Sequence, residues 1–267
     1  MGSPTALDLT QPRTLGDLLG ACFGLYRGYF RTFATIALVI VVPVELIVSG
    51  VGVGQLWLGY DPEPSLGILL AQGIAYGLVS APLVTAMQIT AVIEIGAGRA
   101  PSARASLRAG LDVFAPLLGA VLLFWLGLIG GFLLLIVPGI YLMVRWYFTP
   151  QAVVVDGRRG RGALARSGEL VKGSWWRVFG IAIVFGLIAT LPLLIAGQLI
   201  AAAAEQADSG ALLLAGTVLT DALAISLSAL LGTLLYFDLR ARREGAPPDD
   251  APANEARPEW AERPEAR

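Results

Sequence analysis

Between Leu66 and Ile93 the chain runs 28 residues without a charged side chain, and between Val178 and Ala204 it runs another 27. A bilayer core about 30 Å thick takes about 20 apolar residues as a helix, so each block is long enough to cross one. Three more blocks carry a single charge each: Thr32 to Gly54 with Glu45, Val113 to Val155 with Arg145, and Ala211 to Phe237 with Asp221. The 43 residues from Val113 to Val155 suffice for two crossings and hold the turn signals Gly130-Gly131 and Pro138-Gly139. A turn ending at Pro138, a good early helix residue, gives six spans near 32–54, 66–95, 113–135, 138–155, 178–204 and 211–237. Irregular backbone cannot face lipid. The expected fold is therefore an all-α polytopic membrane protein. With 56% hydrophobic and only 15% charged residues, against about 25% charged in soluble domains, the chain has too few charges to cover a water-facing surface.

Charge placement tests that count independently. Arg13, Arg27 and Arg31 precede span one; Arg99, Arg104 and Arg108 follow span two. Arg158, Arg159, Arg161, Arg166, Lys172 and Arg177 join spans four and five, and Arg240, Arg242, Arg243, Arg257, Arg263 and Arg267 follow span six. Six crossings put 18 of the 19 basic residues on one side, while the opposite loops carry only Asp61, Glu63, Glu205 and Asp208. Basic loops stay inside, so both termini are expected in the cytoplasm. Trp57 and Tyr60 would mark the outer interface, and Tyr26, Tyr29, Trp175, Trp176 and Tyr236 the inner one. A single lysine among 18 arginines, with abundant alanine, fits a high-GC bacterial genome, which makes the expected membrane the bacterial plasma (inner) membrane.

Short helical lead-ins precede three of the spans. Leu15, Leu18, Leu19, Cys22, Phe23 and Tyr26 share one face, after a capping-box-like start at Thr14 and Asp17. Leu107, Leu111 and Phe114 alternate with Arg104 and Arg108, and Leu170 to Phe179 repeats the pattern of Leu25 to Phe33. An interfacial helix followed by a two-helix hairpin, three times over, is the expected repeat. The membrane domain is expected over 14–240, after an N-terminal cytoplasmic extension at 1–13. Beyond it, 241–267 reads as a disordered cytoplasmic tail, since residues 245–267 hold five prolines and six acids with little to bury.

Histidine is absent and Cys22 is the one cysteine, which removes Ser-His-Asp and Cys-His catalysis, His-ligated metals and disulfides. No phosphate-binding loop appears. No catalytic residue, cofactor or metal site is expected, and Arg158, Arg159 and Arg161 are too few for nucleic acid. Ionisable groups inside spans are the pointed signals. At 1.5 Å per residue, Glu45, Arg145 and Asp221 share a depth, so Arg145 is expected to pair with one or both acids. Such a cluster fixes helix register or forms a substrate or proton site; the further alternative is that the charges face lipid and snorkel. Arg158, Arg159, Arg161, Arg166, Lys172 and Arg177 are candidates for anionic headgroups. Small residues recur every fourth position at Gly16, Gly20, Gly24 and Gly28, at Gly73, Gly77 and Ala81, and at Gly127 and Gly131. Pro43, Pro82 and Pro192 should kink their helices.

The run Val137-Pro-Gly-Ile-Tyr-Leu-Met-Val-Arg-Trp146, then Pro150 and Ala152 to Asp156, resembles the hallmark of the glycerophosphoryl diester phosphodiesterase membrane-domain family. Thr14 to Phe30, Gly168 to Gly180 and Tyr236-Phe-Asp-Leu-Arg240 look like other parts of that family. Pro138, Gly139, Tyr141, Arg145, Trp146 and Pro150 carry the motif. The resemblance implies a six-helix bacterial membrane protein without the phosphodiesterase barrel that some members carry, whose chemistry uses histidines.

The expected function is non-enzymatic: a scaffold for a protein partner at the cytoplasmic face, or a lipid-handling module. A transporter using Arg145 and Glu45 is the alternative. A membrane enzyme would have to draw on Asp112, Asp156, Glu94 and Asp238, which are scattered along the chain.

Overall fold

The computed structural model describes residues 8–48 and 66–244, which form helices and turns without a strand. The loop with Trp57, Tyr60, Asp61 and Glu63 and the chain from 245 onward lie outside the described residues. In order the helices are α1 (Leu15–Gly28), α2 (Phe30–Val48), α3 (Leu66–Ala75), α4 (Ala81–Gly96), α5 (Ala103–Asp112), α6 (Phe114–Leu134), α7 (Ile136–Arg145), α8 (Thr149–Val154), α9 (Arg161–Val171), α10 (Trp175–Phe185), α11 (Leu191–Gln206) and α12 (Gly210–Glu244). Two π-turns, Tyr76–Ser80 and Gly186–Thr190, join α3 to α4 and α10 to α11 into continuous rods. Among the described residues five helices are long and apolar enough to cross a membrane: Phe30–Ile47, Leu69–Gly96, Phe114–Leu134, Trp175–Gln206 and Gly210–Glu244. The protein is a multi-pass helical membrane protein.

The expected span over 138–155 is not one helix. The hairpin turns at a single extended residue, Leu135, so that Pro138 is already the third residue of α7. The helix then stops at Arg145 and resumes only at Thr149. The tail expectation also shifts. Helix α12 continues through Arg240 to Glu244, where Arg240 donates to Glu244 one turn on at 2.6 Å.

α12 is the axis of the bundle, 35 residues long and about 52 Å by helical rise. From Leu227 to Leu239 nearly every position is buried, so this half is wrapped all round rather than presenting a stripe. Around it pack α1, α2, α4, α9 and α11. Between α4 and α12 the Gln88 amide donates to the Ser226 hydroxyl at 2.7 Å. Leu83, Val84, Met87 and Val92 of α4 join Leu230, Leu231, Leu234 and Tyr236 of α12 in the main core.

Short helices precede α2, α6 and α10. Thr14 caps α1, its hydroxyl oxygen accepting from the Asp17 amide while the Asp17 carboxylate accepts from the Thr14 amide. Leu18 and Cys22 are fully buried, and the sequence face is otherwise half-covered, with Phe23 exposed. A short helix precedes a long apolar one at α1–α2 and α5–α6, and α9 precedes the α10–α11 rod after a three-residue turn. The last junction needs Gly173, whose φ of 81° is open to glycine alone at little cost. Small-residue stripes serve packing within the chain where they are covered. Gly131 lies against Gly139 backbone and Gly127 against the Trp146 ring, whereas Gly20, Gly24, Gly28 and Gly73 face open space.

The burial of α1 on α12 has a chemical readout. The Cys22 thiol donates to the Leu227 carbonyl at 3.6 Å, and burial pushes its pKa up to about 12. Thiolate is the reactive species, so at pH 7–9 Cys22 should resist a maleimide in the folded protein and react fully in denaturant. Rapid modification of the native protein would show that α1 does not seat on α12.

Candidate functional site

Proline shapes the site first. Pro82 and Pro192 each follow a π-turn by two residues. A helical proline lacks an N–H and its ring crowds the carbonyl four residues back. Widening the preceding turn relieves that crowding: the Ala81 amide reaches the Tyr76 carbonyl and the Leu191 amide reaches the Gly186 carbonyl, five residues back in each case. The two widened turns then contribute Tyr76 and Thr190 to a half-open cavity of about 340 Å³. α11 supplies Leu193, Gly197 and Gln198, and α12 supplies Thr217, Thr220 and Asp221. The Thr220 hydroxyl donates to the Gly216 carbonyl at 2.8 Å, which leaves the Asp221 carboxylate as the charged group of the lining.

Asp221 lies 11 residues into α12 from Gly210, about 16 Å along its axis. Glu45 of α2, only 8% exposed, is close enough for the two charges to interact. Among the described residues no cation stands within ion-pair distance of Asp221. Arg145, expected in this cluster, is elsewhere. Its guanidinium donates to the Tyr141 hydroxyl at 2.9 Å, rests over that ring and packs on Gly168 of α9, where a Cβ would come within 3.1 Å. The shared depth assumed an unbroken helix from Pro138 to Val155. The break after Arg145 instead leaves this side chain exposed beside α9.

The remaining motif residues build the α6–α7 hairpin and its seat. Gly139 lies under the Phe132 ring and Trp146 fills the space over Gly127. Tyr141 stacks on Trp175 at 6.2 Å, and its carbonyl accepts from the Trp175 indole at 3.3 Å. Pro150 is the second residue of α8, where a missing N–H costs nothing.

The basic connections gather at one end of the bundle around α12, which we call the basic end. Asp156 accepts from Arg166 at 2.7 Å, Arg240 at 3.0 Å and the Tyr236 hydroxyl at 2.5 Å. Glu244 accepts from Arg166 at 2.5 Å and Arg240 at 2.6 Å. Although burial works against the charged form of Arg166, its hydrogen bonds to Asp156 and Glu244 prevail and hold its pKa above the ordinary arginine value. A second knot surrounds Asp238, whose side chain is 0% exposed: Arg177 donates to it at 3.0 Å, Arg242 at 3.1 Å and the Arg13 amide at 2.6 Å. The Arg13 carbonyl in turn accepts from Arg177 and Arg242.

These knots redistribute the candidates. Arg166 and Arg177 are engaged with carboxylates, whereas Arg158, Arg159, Arg161 and Lys172 stay exposed, as headgroup contact requires. Asp156 and Asp238 come to the same end but are saturated by arginines. Glu94 instead accepts from the Ser102 amide at 3.1 Å, and Asp112 is exposed. Among the described residues no three acids or cysteines group as a metal site. Neither knot is apparent in the sequence, because Asp156 meets partners 80 and 84 residues away. Only the Asp238–Arg242 and Arg240–Glu244 pairs, each one turn apart, gave a local signal. Removing the acceptor of a buried pair leaves cations uncompensated. Asp238→Ala should therefore destabilise the protein by about 3 kcal/mol, the lower end for such pairs because both arginines touch solvent. Unfolding in detergent, followed by circular dichroism, checks this.

No curated protein and no solved structure matches the chain. A family described as Domain of unknown function (DUF7847) matches residues 64–239 of the 267, from the start of α3 to the Asp238 knot, leaving Glu45 outside the matched part. The chain belongs to that family.

Proposed function

We propose that this is a non-enzymatic, lipid-handling protein of the bacterial plasma membrane, with its basic end and both termini in the cytoplasm, that takes up a small cationic amphiphile in the Asp221 cavity. The arginine distribution supports the orientation, and the repeated helix-then-span order supports a threefold build. The resemblance to the glycerophosphoryl diester phosphodiesterase membrane-domain family fits the same reading. The observation that carries the function is a carboxylate lining a half-open cavity between membrane helices, with no cation paired to it among the described residues. A charge at that depth is expensive, and an ammonium head would offset it while its chain follows the apolar wall of Leu193, Leu194 and Ala201. The exposed Arg158, Arg159, Arg161 and Lys172 would hold anionic headgroups at the cytoplasmic surface.

Two proline-widened helices lining one cavity also favour a second reading, since broken helices build transporter sites. In that case the same amine would cross the membrane, and flux into proteoliposomes would separate the two. For either reading, dodecylamine should bind the purified protein and raise its Tm, while dodecanoate should not. Asp221→Asn should weaken dodecylamine binding at least tenfold, about 1.4 kcal/mol. Equal binding by the variant and the parent would overturn the assignment.

A further inference from the structure

We propose that α6 and α7 form a re-entrant hairpin: it enters the hydrocarbon from the basic end, turns at Leu135 inside the bilayer and returns to the same end. Its tip then faces the acyl chains of the leaflet on the basic side.

The reach of the two arms carries this. On the returning arm, everything past Trp146 already belongs to the basic end. Tyr147 and Gln151 lie against Gly232, the Phe148 ring meets Tyr236 at 5.9 Å, and Tyr236 is bonded to Asp156 within the ion knot. Only Ile136 to Trp146 remains to cross, about 16 Å of helix against a core of about 30 Å. Tyr141, midway along α7, is tied to Trp175, two residues from the Arg177 that binds Asp238. From Tyr141 to the turn at Leu135 is about 9 Å more.

The outgoing arm gives the same answer. α6 has 21 residues, but Leu117, Ala120 and Val121 are buried against Ala152, Val153 and Ala163 of α8 and α9. Leu123 faces Gly160, beside the exposed Arg158 and Arg159. From Leu123 to Leu134 leaves about 17 Å, roughly half a bilayer.

The chemistry of the tip agrees. Leu133 is 83% exposed and Leu135 67%, and Leu134, Ile136 and Val137 are exposed with them. Between Leu117 and Ile140 the chain has neither a charge nor a hydrogen-bonding side chain except the Trp125 indole, which donates to the Gly77 carbonyl. The turn from α11 to α12, by contrast, holds Glu205, Gln206, Asp208 and Ser209. Backbone groups at the tip are served in part: the Leu135 amide donates to the Gly131 carbonyl, the Gly139 amide to the Leu135 carbonyl, and Pro138 has no N–H to satisfy. The irregular backbone is held to one extended residue, Leu135, between two helices. A hairpin that returns keeps the arginines on one side as well as a crossing pair does.

The test uses the full-length protein in cells and in nanodiscs, with Leu133→Cys and Leu135→Cys, both at exposed positions where no packing is lost. Ala207→Cys marks the end opposite the basic one, and Arg159→Cys the basic end. With a membrane-impermeant maleimide, Ala207→Cys should label from outside cells, and both tip variants at least tenfold more slowly from either face. Nitroxide labels at the tips should relax more readily with oxygen than with a water-soluble nickel chelate. Tip labelling from outside at the rate of Ala207→Cys, or nickel access at the tip in nanodiscs, would overturn the proposal. Labelling of Arg159→Cys from outside instead would overturn the orientation under Proposed function, while the nanodisc measurement still decides the hairpin.

Discussion

Two aspartates surrounded by arginines and the last turns of a long apolar helix constrain one another throughout this structure. α12 can be buried on all sides from Leu227 to Leu239 only because its polar groups have partners that arrive with the neighbouring elements. Asp238 is neutralised by Arg177 from the start of α10, by Arg242 one turn on and by the backbone before α1. Asp156, from the loop after α8, does the same for Arg240 and Tyr236 and brings Arg166 of α9 with it. The ion knots thus join the N-terminus, the α8–α9 loop, α9 and α10 to a single helix end. Individually such pairs do little for net stability. What they fix is register, because Arg166 and Arg240 must each reach both Asp156 and Glu244.

Away from that end the bundle thins, and its character changes. Lipid supplies no hydrophobic drive for helices to associate, so close approach and local geometry decide. Proline provides the geometry: at Pro82 and Pro192 a widened turn leaves a gap that the helices do not close, and the carboxylate of Asp221 lines it. The same chain therefore holds Asp156 and Asp238 among arginines at its basic end. Nearer the other it is open at Asp221, which has no cation within ion-pair distance among the described residues.

The sequence exposes whatever depends on local order. Apolar blocks mark the α3–α4 rod, α6 and the α10–α11 rod to within three residues and the starts of α2 and α12 to within two, and Thr14 with Asp17 marks the start of α1. The break after Arg145 left one local trace, Pro150, which has no N–H for the Trp146 carbonyl and crowds it. Trp146, Tyr147 and Phe148 are apolar enough to continue a helix, and they instead seat on Gly127, Gly232 and Tyr236. Placing Arg145 beside Glu45 required rise per residue to equal depth, which holds for a straight helix and fails at a bend. The ion knots were legible only as pairs one turn apart. Their long-range members depend on which helix ends meet, information that composition and spacing do not contain.

The claim that long-range ion pairing sets the end of α12 is tested most directly by a double-mutant cycle between Asp156 and Arg240, using Asn and Gln as replacements and unfolding in detergent as the readout. Residues in one network couple by about 0.5–3 kcal/mol. The account predicts a coupling of at least about 1 kcal/mol between these two positions, 84 residues apart. Additivity to within about 0.3 kcal/mol would contradict it.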